Sequence, residues 1–316
     1  NQHVVEFPQD HALLVEGQRV GWTNFPSAAV EEMRGNGLIV LTNGVEIVQP
    51  QLLEKLKRGR AYGTLVYPNA LAGSVLLLLP GLLVATHQLS ERLRPAIGRP
   101  LVALVAFLGV ASLYWSGSKS GWLIALVVGA ASLFQLPRLK RARIPAAAIL
   151  ILVGLAVFGF RFSNYFSRGA TSISARLDYW RAAVQITAER PVFGTGPGTF
   201  QRPYEVRKHP EAEMARLTHN DYLEQFSDSG VPGGLLYLAW IGSALVTIRR
   251  QNQGPALQTG VILGVVGWFG QGIAEFSLYV PGLAWTAFVL LGYLTVPPSE
   301  NPSTVRGDPR QLTGIP

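Results

Sequence analysis

Seven long apolar runs divide the chain, near residues 64–86, 98–115, 119–136, 144–160, 231–248, 257–274 and 279–296. Each holds about 17 to 23 residues with few charges, and at 1.5 Å per residue that is close to the roughly 30 Å of hydrocarbon in a bilayer. Backbone polar groups can be satisfied there within helices, so the pattern predicts an all-α, polytopic transmembrane helical bundle of about seven spans. The polar stretch 161–230 between the fourth and fifth runs predicts a large helical loop, and residues 1–63 form a separate N-terminal segment.

Inside the loop, Ser172 and Ser174 are both suited to cap a helix that runs to Arg190, where Pro191 stops it. Ile173, Leu177, Trp180 and Val184 recur at helical spacing and predict its apolar face, with Arg176 and Arg181 beside it. One reading of that face is an interfacial helix whose arginines reach the headgroups. Gly194-Thr195-Gly196-Pro197-Gly198 superficially resembles a phosphate cradle, but no apolar strand precedes it and Pro197 removes a donor. A tight turn is the better expectation. After Pro210, residues 211–229 predict a second helix carrying His219, Leu223 and Phe226 on one face, with Asn220 and Glu224 one turn apart. Gly230 is its expected C-cap, and Pro232 opens the next span. Gly37–Leu41 and Val45–Val48 around Asn43-Gly44 predict a small hairpin. The tail from Pro297, rich in Pro, Ser and Arg, predicts disorder.

Composition supports a membrane protein: 48% of residues are hydrophobic, 15% are charged and there is no cysteine, with a mean hydropathy of +0.25. No secretory signal pattern opens the chain. Charge then sets the orientation. Arg92, Arg94 and Arg99, then Arg138, Lys140, Arg141 and Arg143, then Arg249 and Arg250 fall in alternate connections, which places those connections in the cytoplasm. Residues 161–230 are then extracytoplasmic, as are 1–63, and 297–316 form a cytoplasmic tail. Nothing within 1–63 could carry that segment across, so further spans upstream are expected. The net charge of +8 is a matter of topology, and no nucleic-acid partner is expected.

The candidate chemistry gathers at the outer span ends. Trp115-Ser116-Gly117-Ser118-Lys119-Ser120-Gly121-Trp122 interrupts the second and third runs, and an ammonium at that depth calls for water, a counter-ion or an anionic ligand. Gln271 and Glu275 close the sixth run, Arg60 precedes the first, and Asn69 follows Pro68. Thr218-His219-Asn220-Asp221-Tyr222-Leu223-Glu224 places a titratable cluster just before the fifth.

In order along the chain, these segments resemble the O-antigen ligase and polymerase family of integral-membrane glycosyltransferases. Arg60-Ala61-Tyr62-Gly63-Thr64 with Tyr67-Pro68-Asn69 looks like the family's Arg, Gly and Pro-Asn segment, and Ser116 to Gly121 looks like its Ser-Arg turn. Arg176-Leu177-Asp178-Tyr179-Trp180 through Gly194-Thr195-Gly196 resembles its loop helix and glycine turn. His219-Asn220-Asp221-Tyr222-Leu223 resembles its His-Asn motif, and Glu275-Phe276 through Pro281 its late Asp-Phe and Pro segment. The resemblance covers about residues 60–285. Three positions depart from it: Lys119 stands where Arg is usual, Glu275 where Asp is usual, and Gln271 where His is common.

The resemblance implies transfer of a glycan from a polyprenyl-pyrophosphate donor to an acceptor hydroxyl, in a bacterial inner membrane and on its extracytoplasmic side. Such a reaction needs cations on the departing pyrophosphate and a base near the attacking hydroxyl. Arg176, Lys119 and Arg60 suit the first task. His219 suits the second, with Asn220 holding the ring or a sugar hydroxyl, and Asn69, Ser118 and Glu275 in support. No metal-ligand spacing is present, so no metal or other cofactor is expected. The acceptor could be a lipid A core, another repeat unit or a protein hydroxyl. Rival readings are an anion transporter or channel lined by Lys119 and Arg176, and an intramembrane protease pairing Ser118 or Ser120 with His219. The spans offer few mid-membrane polar groups for the first, and no Gly-x-Ser-x-Gly context exists for the second.

Overall fold

The computed structural model describes residues 60–296, apart from 62–64, 66, 137–138, 168–170, 210–211 and 252–254, together with four short strands nearer the N-terminus. The C-terminal tail and most of residues 1–59 lie outside the described residues, as do Tyr62, Gly63 and Thr64 of the first motif. The chain divides into units 1–60 and 61–316. In the first unit β1 (Leu14–Val15) pairs antiparallel with β2 (Gln18–Arg19), and β3 (Ile39–Thr42) pairs with β4 (Val45–Val48). The β3–β4 register, Thr42 opposite Val45, is that of the predicted hairpin.

The second unit contains α1 (Pro68–Ser90), α2 (Pro95–Ser116), α3 (Lys119–Leu133), α4 (Arg143–Ser167), α5 (Thr171–Glu189), α6 (Gln201–Arg207), α7 (Asp221–Arg250), α8 (Ala256–Gln271) and α9 (Pro281–Thr295). Prolines begin α1, α2 and α9, where the missing N–H costs nothing. Gly117 ends α2 in the left-handed region at φ 59°, and Ser118 then caps α3 by accepting from the Gly121 N–H at 3.2 Å.

A helix stands at each of the seven predicted runs, but their lengths differ from the expectation. α1, α2, α4 and α7, with 23, 22, 25 and 30 residues, are long and apolar enough to cross a membrane. α3 and α9 are apolar but have 15 residues each, and α8 has 16. Fifteen residues span about 23 Å: α3 begins at Lys119 as expected but ends at Leu133, and the chain leaves α8 at Gly272 to present Glu275.

The bundle core lies between α1, α7, α8 and α9, where Leu77, Ile241, Val265, Trp268, Leu283, Ala287 and Leu294 are buried together. α8 meets α1 backbone to backbone: a Cβ at Gly264 would collide with the Leu77 carbonyl oxygen, and one at Gly260 would come within 2.9 Å of the Pro80 oxygen. Small residues four apart permit this approach, as is common where lipid supplies no hydrophobic drive between helices. A second, smaller core of Tyr179, Ala182, Ala183, Ile186, Phe200, Tyr204 and Ala215 organises the loop.

One local expectation is corrected. The predicted helix over 211–229 begins only at Asp221, since Asn220 caps it; Gly230 is non-helical (φ 71°, ψ −175°), as its expected place at the end of that helix requires, and a helix resumes after it to Arg250. His219 is therefore not on a helical face; it sits in a turn at φ 54°. On α5, Ile173, Leu177 and Val184 of the predicted apolar face are exposed, whereas Tyr179, Ala182, Ala183 and Ile186 are buried. An apolar stripe signals an apolar environment, and beside a membrane that environment need not be protein.

Candidate active site

The helices alternate in direction, so one end of the bundle gathers the start of α1, the α2–α3 turn, the end of α4, the start of α7 and the α8–α9 connection. The polar residues converge there on one carboxylate. Glu275, 2% exposed, accepts from Arg176 Nη2 at 2.6 Å, Asn69 Nδ2 at 2.8 Å and Ser120 Oγ at 3.3 Å through Oε1, and from the Tyr67 hydroxyl at 3.1 Å through Oε2. His219 Nδ1 lies 3.9 Å from Oε2, an electrostatic rather than a hydrogen-bonding separation. Asn69 also donates to the Tyr67 hydroxyl at 2.8 Å, and Gln271 Nε2 donates to the Asn69 carbonyl at 2.9 Å.

Electrostatics follow from this packing. Burial pushes the Glu275 carboxyl up, but His219, the Arg176 guanidinium and Asn69 more than offset it and hold the group below its ordinary range. Glu275 is thus an anion at neutral pH. Tyr67 moves the other way, raised first by burial and then by the Glu275 charge, and remains a neutral donor.

The His219 imidazole stacks on Tyr179 (centroids 5.8 Å, planes at 28°) and meets Phe276 edge-on at 4.8 Å. Its left-handed backbone is held from both sides. Thr218 N–H donates to Glu224 Oε2 at 2.6 Å, and Thr218 Oγ1 donates to the Asn220 carbonyl at 2.8 Å. Asn220 Oδ1 accepts the Tyr222 and Leu223 N–H groups, each at 3.0 Å. The side-chain carbonyl of Asn220 thus caps α7, and the Glu224 carboxylate pairs with Thr218 rather than with the Asn220 side chain.

Of the residues singled out in the sequence, Asn69, Arg176, His219 and Glu275 come together. Ser118 is buried as the α3 cap, with its Oγ 3.4 Å from that of Ser120. The Lys119 ammonium lies over the Tyr165 and Phe162 rings, 3.8 and 5.2 Å from their centroids. Arg60 belongs to the first unit, one residue before Ala61, whose N–H donates to the Trp115 carbonyl at 2.9 Å. Sequence reasoning missed Tyr67 and Ser120 as Glu275 donors and the ring partners Tyr179 and Phe276. Tyr67 and Ser120 each stood beside a residue that was chosen, but nothing local marks a contact across 208 or 155 positions. Among the described residues no group of three His, Cys, Asp or Glu is placed to hold a metal ion.

The glycine turn is a turn. Gly194, Gly196 and Gly198 have φ of 63°, 101° and 67°. Their N–H groups and that of Thr195 donate to the Arg190, Ser227 and Asp228 carbonyls and to Asp228 Oδ2, at 2.7 to 3.0 Å. These amides are committed to groups of the chain itself, the Asp228 carboxylate among them.

Residues 104–238, which include Lys119, Arg176, His219 and Asn220, match the family model described as O-antigen ligase. The resemblance drawn from the motifs is thus supported by the chain's central segment, and the family is one of membrane glycosyltransferases. No curated protein matches the chain. Four helices are long and apolar enough to cross a membrane, and the family match supports O-antigen ligase-like glycosyl transfer in a bacterial membrane.

Proposed function

We propose that the chain transfers a glycan from a polyprenyl-pyrophosphate donor to an acceptor hydroxyl, acting as an O-antigen ligase at the extracytoplasmic face of the bacterial inner membrane. The observation that carries the reading is the convergence of Arg176 and His219 on Glu275. The acceptor oxygen attacks the anomeric carbon, its proton passes to His219, and the bond to the pyrophosphate oxygen breaks with its electrons leaving on the pyrophosphate. Glu275 faces Nδ1 and favours the tautomer protonated there, which leaves Nε2 to take the proton. The carboxylate also steadies the imidazolium that forms. Arg176 uses one Nη2 hydrogen on Glu275, while its buried Nε has no protein partner, which suits a fork facing the leaving group. Lys119 and Arg60 are further candidates for the pyrophosphate.

Orientation rests on charge. Arg92, Arg94, Arg99, Lys140, Arg141, Arg143, Arg249 and Arg250 lie in connections at the end of the bundle opposite the Glu275 cluster. With that basic end in the cytoplasm, the cluster faces outward, residues 161–230 form the extracytoplasmic loop, and the three shorter helices complete a seven-span bundle.

The test is transfer in proteoliposomes from a polyprenyl-pyrophosphate-linked glycan, with lipid A core and a second donor offered as competing acceptors. Glycosylated lipid A core is the expected product. Extension of the donor glycan instead would make the protein a polymerase, and no transfer to any hydroxyl would overturn the reading.

A further inference from the structure

We propose that Asp221 is the positioning residue that sets the spacing between His219 and Glu275; the inference rests on the function proposed above. Asp221 stands two residues after His219 and is 3% exposed. Its backbone N–H donates to the Gly272 carbonyl at 2.7 Å, three residues before Glu275. Its carboxylate accepts from the Leu278 N–H at 3.2 and 3.3 Å, three residues after Glu275. One residue therefore ties down both ends of the segment that presents the carboxylate. The contact with Gly272 is close enough that an added Cβ there would lie 2.7 Å from Asp221 Oδ2.

The same stretch of chain fixes the imidazole. Asn220 and Glu224 lock the Thr218–Asn220 turn onto the start of α7, so His219 cannot move without α7, nor the Glu275 segment without Asp221. The Nδ1 to Oε2 distance of 3.9 Å is short enough for electrostatic orientation and leaves contraction for the charged state. Misplacement of a catalytic pair by about 1 Å costs on the order of 100-fold in rate. A carboxylate suits the task because both its oxygens accept and a side chain this short transmits little play.

The experiment uses the full chain in proteoliposomes and compares kcat, donor KM and the pH dependence of kcat/KM. The charged and titratable groups near the His219 ring are Glu275, Arg176 and Tyr179. Asp221→Ala should lower kcat about 100-fold with donor KM nearly unchanged. The acid limb should move to lower pH, because imidazolium loses its carboxylate. Glu275→Gln should move the limb the same way, and adding Asp221→Ala to it should change the limb little further. Asp221→Asn keeps an oxygen for Leu278 N–H and should recover most of the rate and the wild-type limb. Gly272→Ala presses a methyl group on Asp221 Oδ2 and should also shift the limb down, which provides a reading if Asp221→Ala fails to fold. An acid limb that stays put in Asp221→Ala or Gly272→Ala, or an Asn variant as impaired as the Ala variant, overturns the proposal. If His219→Ala remains active, the function proposed above fails; if it is dead while the limb stays put, only the role of Asp221 falls.

Discussion

Two polar groupings on the same end of the molecule look alike in the sequence and differ in what they leave open. The Gly194–Gly198 turn spends its N–H groups on Arg190, Ser227 and Asp228, and α7 closes against it. The Glu275 cluster is as deeply connected, yet among the described residues Arg176 Nε and Gln271 Oε1 have no hydrogen-bond partner, where the turn leaves Asp228 Oδ1. Buried polar groups are almost always satisfied, and the open group beside the turn is a carboxylate oxygen, whereas the open Arg176 Nε is a donor of the kind the proposed pyrophosphate calls for. Glycine spacing alone could not separate the two.

The largest break in that contrast should come from Glu275→Ala. Removing the carboxylate strands the Arg176 guanidinium beside His219, at a cost on the order of 3 kcal/mol in stability, and transfer should fall about 100-fold. Thermal unfolding in detergent and the transfer assay read the two effects. The pH dependence follows from the depressed Glu275 pKa. Its stabilising contribution is complete above the unfolded value of about 4.3 and is lost as pH falls through the lower folded value. Glu275→Gln should lack that acid-side loss, and an unchanged acid melt would refute the ion pair.

Arg176→Ala should rank next, with donor use reduced about 10- to 100-fold and Arg176→Lys less affected, since charge is kept and the fork is lost. Equal, negligible effects would return Arg176 to a bracing role like that of the turn. Gly194→Ala sharpens the contrast from the other side. Its φ of 63° and the Asp228 backbone leave no room for a methyl group, so stability should drop by about 1 to 3 kcal/mol. Donor KM and rate per folded molecule should hold, and a selective change in KM would make the turn part of the site.

Much of the helix pattern was legible because apolar runs and their breakers are local. Pro68, Pro95 and Pro281 begin helices, and Gly117 and Ser118 join two of them. The start of α7 was not legible: Glu211 to Thr218 carries helix-compatible residues, but Asn220 competes as a cap and His219 takes a left-handed turn. The α5 stripe was legible as apolar, but periodicity records an apolar surrounding without saying whether protein or lipid supplies it. At the site, the motif residues were recognisable one at a time, whereas their convergence was not. Asn69 and Arg176 reach Glu275 across 206 and 99 positions, and only the packing of α8 against α1 and of α5 against α7 makes them neighbours.

The central claim is that His219 removes the acceptor proton within a site otherwise able to hold the donor. The direct measurement is transfer by His219→Ala in proteoliposomes at matched folded protein, together with binding of the polyprenyl-pyrophosphate-linked donor. Donor binding close to wild type with transfer reduced about 100-fold or more is the expected result. Transfer within a few-fold of wild type would contradict it.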